Sequence, residues 1–333
     1  MRVIVAKEVV SALMGTHNAR KLHLLLNYAC EGRHVLVFDP PSGLDDWLAT
    51  IDQGSREAYV RAMQLSARSA SALPADTATV LVQLTANDGW DDPLAVLSLD
   101  DALAVLSEPL GVLVENSVND WHFLSGIMRT SERALIKRAV IQGWATPLHG
   151  GGGTLPAQLT ARLENSGQGL RTFVLFDSDR RHPDELLDSW TPTGQEDRAA
   201  FNLEALSRQR IPRRYWMLQR RFIESYMPIA ELSRAVSANI HPDAIDAFCR
   251  LSQPGRWYFH MKKGFDGDAS VENSHRCRDL YDNVDASDRA ALKGGFGRSL
   301  ANHFETTSSI EFAWDIEARL EAATYIPRLL RLL

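Results

Sequence analysis

Two aspartates, Asp177 and Asp179, stand one residue apart directly after Thr172-Phe-Val-Leu-Phe176, the most uniformly apolar strand-like run in the chain. Side chains at that spacing would diverge along a strand, but at a strand-to-loop bend both can turn toward one cation. Glu115 follows a second such run, Gly111-Val-Leu-Val114. Between them four glycines, Gly150–Gly153, follow a third apolar run, Val140-Ile-Gln142, and precede a helical pattern over Leu155–Leu163. Ligands of open α/β sheets bind outside the carboxyl ends of the parallel strands, so this order predicts all three features at one sheet edge. Clustered carboxylates raise each other's pKa values, a cost that a hard divalent cation such as Mg²⁺ or Mn²⁺ removes. A glycine turn opening a helix offers N–H groups and a positive helix end to a phosphate, which singles out Gly151 and Gly152. Taken alone, Glu115 would read as a cap or surface ion pair and the glycines as a turn; the combination carries the expectation.

The elements around these residues alternate. The first third has strand-like runs at Val3–Ala6, His34–Phe38 and Val80–Leu84, with helical patterns over Ala19–Ala29 and Arg56–Ser69. Ser69–Pro74 reads as a surface connection. The pairs Asp45-Asp46, Asp91-Asp92 and Asp100-Asp101 read as helix caps and solvated turns. Beyond Glu115, a helix is expected around Asp120–Met128. Arg180–Arg198, polar and carrying Pro183, Pro192 and Gly194, reads as a loop or mobile insertion. A helix is expected around Arg214–Tyr226, stopped by Pro228. The last hundred residues are mostly helical in pattern, with an irregular piece from Lys262 to Ser274. The fold class is therefore α/β, in three parts: a small α/β domain over 1–105, a Rossmann-like core over 106–228 and a mainly helical region over 229–333.

Composition restricts the function classes. The 333 residues are 45% hydrophobic and 23% charged, with a formal net charge of −6, so no whole-chain basic field exists and a nucleic-acid ligand would need a local patch. Such a patch is suggested by Arg213, Arg214, Arg220 and Arg221, interleaved with Tyr215 and Trp216; at helical spacing Trp216, Phe222 and Ile223 read equally as core. Cys30, Cys249 and Cys277 are too few and too scattered for a disulfide framework or structural zinc, which fits a reducing cytoplasm. His275-Arg-Cys277 lacks further ligands at zinc spacing. The N-terminal run Val3-Ile-Val5 stops at Lys7-Glu8, unlike a secretory signal. The richest apolar stretch, Leu94–Val114, is broken by Asp100, Asp101 and Glu108, so no membrane span is expected. No Gly-Lys-Ser/Thr is present, so no Walker A loop.

The order Val-Leu-Val-Glu115, four glycines, Val-Leu-Phe-Asp177-Ser-Asp179 resembles the Toprim domain of topoisomerases, primases and the overcoming-lysogenization-defect family of nucleases. The resemblance covers roughly Leu110–Ser189. Downstream, Leu218-Gln-Arg-Arg-Phe-Ile-Glu224-Ser-Tyr-Met-Pro228 resembles the helix that follows the Toprim core in those nucleases, whose glutamate completes the metal site. Trp257-Tyr-Phe-His260-Met-Lys262-Lys263-Gly264 is similar to their lysine-glycine segment, where a lysine faces the scissile phosphate. The sequence departs just after Glu115, where the family has glycine and then an acid: Asn116 and Asn119 stand there, with Asp120 one place later. Whether Asn119 or Asp120 enters the site stays open.

The resemblance implies a Toprim nuclease that hydrolyses DNA or RNA with Mg²⁺ or Mn²⁺, as a pair of ions about 3.5–4 Å apart. Asp177 and Asp179 would hold the principal ion. Glu115 would bridge a second ion or act as general base, Glu224 would bind the second ion, and Lys262 or Lys263 would stabilise developing charge. It further implies an antiphage effector with a separate ATPase partner, and leaves a homo-oligomer open. The alternative is a non-catalytic Toprim-fold binding or regulatory subunit of a defence complex.

Overall fold

The computed structural model describes residues 1–40, 44–85, 90–91, 93–192, 198–236 and 240–333. Aliphatic and β-branched runs build two sheets. The first contains β1 (Arg2–Ala6), β2 (Val35–Asp39), β3 (Thr79–Val82), β4 (Trp90–Asp91) and β5 (Leu94–Leu97), in the order β2-β1-β3-β5-β4. All its pairings are parallel except β4 with β5. The second contains β6 (Leu110–Val114), β7 (Ala145–His149), β8 (Thr172–Phe176) and β9 (Tyr215–Met217), all parallel, in the order β7-β6-β8-β9. Strand and helix alternate through both sheets, a Rossmann-like α/β arrangement.

The second sheet is covered on both faces, which is why β6 and β8 are buried at every position and apolar at all but Thr172. Val112 and Val114 on β6, with Phe173 and Leu175 on β8, face a core that continues from the first sheet to the C-terminal helix, taking in Val3, Phe304 and Leu329. Leu113, Val174 and Phe176 point the other way, onto Leu155, Leu159, Leu203 and Ile211. The helices Leu155–Glu164 and Arg198–Arg210 supply that second layer. The far end of the chain is helical in short pieces and closes with the helix Ile316–Leu330. No helix of the described residues is long and apolar enough to cross a membrane.

Several elements differ from the sequence-based expectation. Val140 and Ile141 end the helix Thr130–Ile141, and the strand before the glycines is β7, at the sheet edge. An edge strand need not be continuously apolar and tolerates Pro147, so its sequence hides it. The helix expected over Arg214–Tyr226 is not formed. Tyr215–Met217 pairs with Val174–Phe176 as β9, and Ile223–Tyr226 is a 3-10 turn. The segment from Arg180 is no mobile insertion at its start: Arg180, Arg181 and Glu185 are buried and ion-paired, and His182 is buried beside Asp184 and Asp279, although residues 193–197 lie outside the described residues. Ser69–Ala72 continues the helix Gln53–Ala72. Asp45, Asp46, Asp100 and Asp101 open helices as expected; Asp92 lies outside the described residues.

Candidate functional site

Glu115 leaves the carboxyl end of β6, and Asp177 and Asp179 leave that of its neighbour β8, where Val114 is registered against Leu175. Asp179 adopts φ +56°, a left-handed conformation that non-glycine residues rarely take, and its amide donates to the Arg221 carbonyl at 3.2 Å. At this bend both aspartates come within electrostatic reach of the Lys262 ammonium. Asp177 Oδ1 accepts from the Ile223 amide at 2.9 Å, which draws the turn bearing Glu224 onto the end of β8.

Glu224 has no solvent exposure, and its Oε2 accepts no hydrogen bond from the described residues. Its ion partner among the described residues is the Lys262 ammonium, 3.1 Å from Oε1. Asp120 completes the group. It sits in the first turn of the helix Asn119–Ile127 and accepts from the Asn116 amide at 2.8 Å, with Glu115, Glu224 and Lys262 within its electrostatic reach. Asn119 turns outward instead and donates to Asn302 at 3.0 Å. Five carboxylates thus lie within electrostatic reach of the Lys262 ammonium, and Asp179 also within that of Arg221, Arg181 and Arg180. Burial, then Asp179 and Asp120, raise Glu115 to about 8. Burial raises Asp120 to about 6. Asp177 is driven well above the usual carboxylate range by burial and by Glu115. Burial also raises Asp179, against the pull of Arg221, Arg181, Lys262 and Arg180. Burial lowers Lys262, but Glu224 and Asp177 outweigh it and hold the ammonium above the ordinary lysine range.

The glycine turn stands on the same edge. The Gly150 amide donates to the Val114 carbonyl at 2.7 Å and that of Gly151 to Glu115 at 3.1 Å, so these two donors are spent on fixing the turn to β6 rather than turned to a ligand. A Cβ on Gly150 would meet Leu155 Cδ1 at 1.9 Å and the Val114 carbonyl at 3.1 Å, so a larger residue would have to displace the buried Leu155. Gly152 lies beside the carboxylate, its would-be Cβ 3.9 Å from Glu115 Oε2. Lys262 is brought in by a second close approach. Gly264, at φ +58°, packs its backbone where a Cβ would meet the Leu292 carbonyl at 1.9 Å. Lys263 is exposed beside it, outside the acidic group.

The arginines expected to track a nucleic-acid backbone are built into the scaffold instead. Arg221, buried, donates both terminal nitrogens to Asp268 at 2.6 and 2.9 Å, and Arg181 joins the same carboxylate at 2.8 Å. Arg220, also buried, pairs with Asp315 at 2.6 Å and lies over the rings of Tyr226 and Trp257. Arg214 is buried and donates to the Gly169 carbonyl. Trp216 is core, its indole N–H donating to Glu321 Oε1 at 2.7 Å. Only Arg213 of the four arginines is exposed. A long-range brace escaped the sequence altogether. Buried Glu321, on the C-terminal helix, also accepts from the Gln219 amide at 3.0 Å and from the Tyr226 hydroxyl at 2.6 Å. It thereby clamps both ends of the segment that carries Glu224.

Chemically, the donor set is hard oxygen in excess negative charge, which fits Mg²⁺ or Mn²⁺ better than softer ions. Among the described residues, no three His, Cys, Asp or Glu side chains are already closed into a set that could hold a metal ion. Asp177 is turned to an amide, Asp120 to another, and Glu224 to Lys262. No protein-family model, curated protein or solved structure matches this chain.

Proposed function

We propose that the chain is a Toprim-type, Mg²⁺- or Mn²⁺-dependent nuclease that hydrolyses phosphodiester bonds of DNA or RNA. One observation carries this reading: Glu224, wholly buried with Lys262 at one oxygen and no hydrogen bond at the other, lies in a group of four further acids whose nearby cations are Lys262 and, for Asp179, Arg221, Arg181 and Arg180. Burial makes that unbalanced charge costly, and a divalent cation is the partner that would remove the cost. Asp177 and Asp179 would hold the principal ion, and Glu224 a second. When bound, such ions supply an activated water and neutralise charge at the phosphate. Glu115 either joins the second ion or takes the proton of the attacking water. Lys262, freed from Glu224, donates to a phosphate oxygen and stabilises its developing charge. Asp120 orients the loop after Glu115 through the Asn116 amide. An antiphage role and a separate ATPase partner belong to the same reading.

The test is incubation of the purified chain with plasmid, single-stranded DNA and tRNA, in Mn²⁺ and in EDTA. Cleavage is expected only with metal and is lost in Asp177→Ala and Glu115→Ala. Cleavage in EDTA, or full activity in both variants, would sink the proposal. The second reading, a non-catalytic binding or regulatory subunit, is favoured by the outward turn of Asn119 where the family carries an acid. Calorimetry that detects no divalent-metal binding would select it.

A further inference from the structure

The acids occupy the carboxyl ends of the strands; the amino ends carry the opposite charge. Arg213 and Arg214 immediately precede β9, Arg171 precedes β8, and Asp76 and Ala78 precede β3. The end of the helix Ile316–Leu330 brings Arg328 and Arg331 to the same place. Together these residues, apart from Arg171, line a cleft with about 20 Å³ of free interior, together with Leu332. Among its described lining residues are four guanidiniums and one carboxylate.

Two of the four are committed. Arg331 Nη1 lies 2.8 Å from both oxygens of Asp76, and Arg214 donates to the Gly169 carbonyl. Among the described residues Arg213 and Arg328 have no carboxylate within ion-pair distance, although Arg328 rests over the Tyr325 ring at 5.1 Å. The ground behind the cleft is also positive. Arg171 has no solvent exposure and donates to the carbonyls of Leu332 and Glu108, while its Nη2 is buried without a partner. Arg33 reaches the same Glu108 carbonyl at 2.9 Å. Carbonyls satisfy donors but do not cancel charge. Burial, and then Arg33, pull Arg171 down to about 9, against the opposing pull of the Glu108 carboxylate.

We propose that this cleft binds a small phosphate-bearing anion, either inorganic phosphate or the terminal phosphate of a nucleotide. Planar guanidiniums converging from separate elements suit a tetrahedral oxyanion, whose several acceptors can be shared among them. The cleft is too small for a nucleobase, so any base would lie outside. The site is distinct from the acidic one and does not depend on the proposed nuclease reading. Its ligand would tie three stretches of chain, residues 76–78, 213–214 and 328–332, to one another.

The test is calorimetry on the full chain in EDTA and a phosphate-free buffer. The titrants are inorganic phosphate, ATP, and a short oligonucleotide with and without a 5′-phosphate. Saturable binding of phosphate or ATP at one site per chain is expected. It should weaken at least about tenfold in Arg213→Gln and in Arg328→Gln, the loss of one charge-assisted contact, and stay unchanged in Asp177→Ala. Equal affinity for phosphate and ATP identifies the free ion; tighter ATP binding identifies the nucleotide. No saturable binding of either would overturn the proposal, as would unchanged affinity in both arginine variants. Oligonucleotide binding indifferent to the 5′-phosphate and tighter than that of ATP would overturn it too, by marking a strand-backbone contact. Arg213 is exposed, so its variant retains the fold and keeps the test decisive.

Discussion

Replacing Asp120 by asparagine removes one charge from the acidic group while keeping its hydrogen bond, because the amide oxygen can still accept from Asn116. The Asp120 carboxyl, 8% exposed, is held at about 6 in the fold against an ordinary 3.8. That difference of about two units is worth about 3 kcal/mol at roughly 1.4 kcal/mol each. The sign follows from proton linkage. Between pH 4 and 6 the folded chain binds a proton that the unfolded chain has released, so stability falls as pH rises through this window and stays low above it. Without metal, Asp120→Asn should therefore be more stable than the parent by up to about 3 kcal/mol at pH 8, a shift of a few degrees in Tm. Below pH 4, where the aspartate is protonated in both states, the two should unfold together. Thermal unfolding in EDTA at pH 3.5, 6 and 8 measures this, and saturating Mn²⁺ should reverse the order by stabilising the parent more. Equal Tm values at pH 8, or an advantage that persists at pH 3.5, would refute the idea that an uncompensated buried charge sits at this position.

The remaining predictions are briefer. Lys262→Met removes the one ammonium among five acids; since Lys262 is about a third exposed, the metal-free chain should lose only about 1–3 kcal/mol, read as a fall in Tm that divalent metal partly restores. Gly150→Ala would drive a methyl into Leu155, costing about 1–3 kcal/mol and weakening metal binding measured by calorimetry, because the turn must leave Glu115. Asp268→Asn leaves the buried guanidiniums of Arg181 and Arg221 without their carboxylate and should destabilise by about 3–5 kcal/mol in urea unfolding; a loss under 1 kcal/mol would mean the pairs are solvated.

The strand-end acids were legible because two buried parallel strands must be apolar throughout, so the first charged residue after each marks the sheet edge. Their convergence with Glu224 and Lys262 rested on family resemblance, since no local pattern links positions a hundred residues apart. The Arg214–Tyr226 stretch misled because a buried guanidinium is written like an exposed one. Its burial depends on Asp268 and Asp315, acids that arrive from distant turns. β7 was hidden for a different reason: one-sided burial at an edge leaves too few apolar residues to form a run. Asn119 and Asp120 could not be told apart by spacing, since a helix start fixes which of two neighbours points back only once its first turn is placed.

The brace from Glu321 has a mechanical consequence. The segment that carries Glu224 is held at both ends by one carboxylate of the helix Ile316–Leu330, through the Gln219 amide and the Tyr226 hydroxyl. A displacement of that helix would therefore reach the acidic group through two hydrogen bonds, across a sequence separation of about a hundred residues.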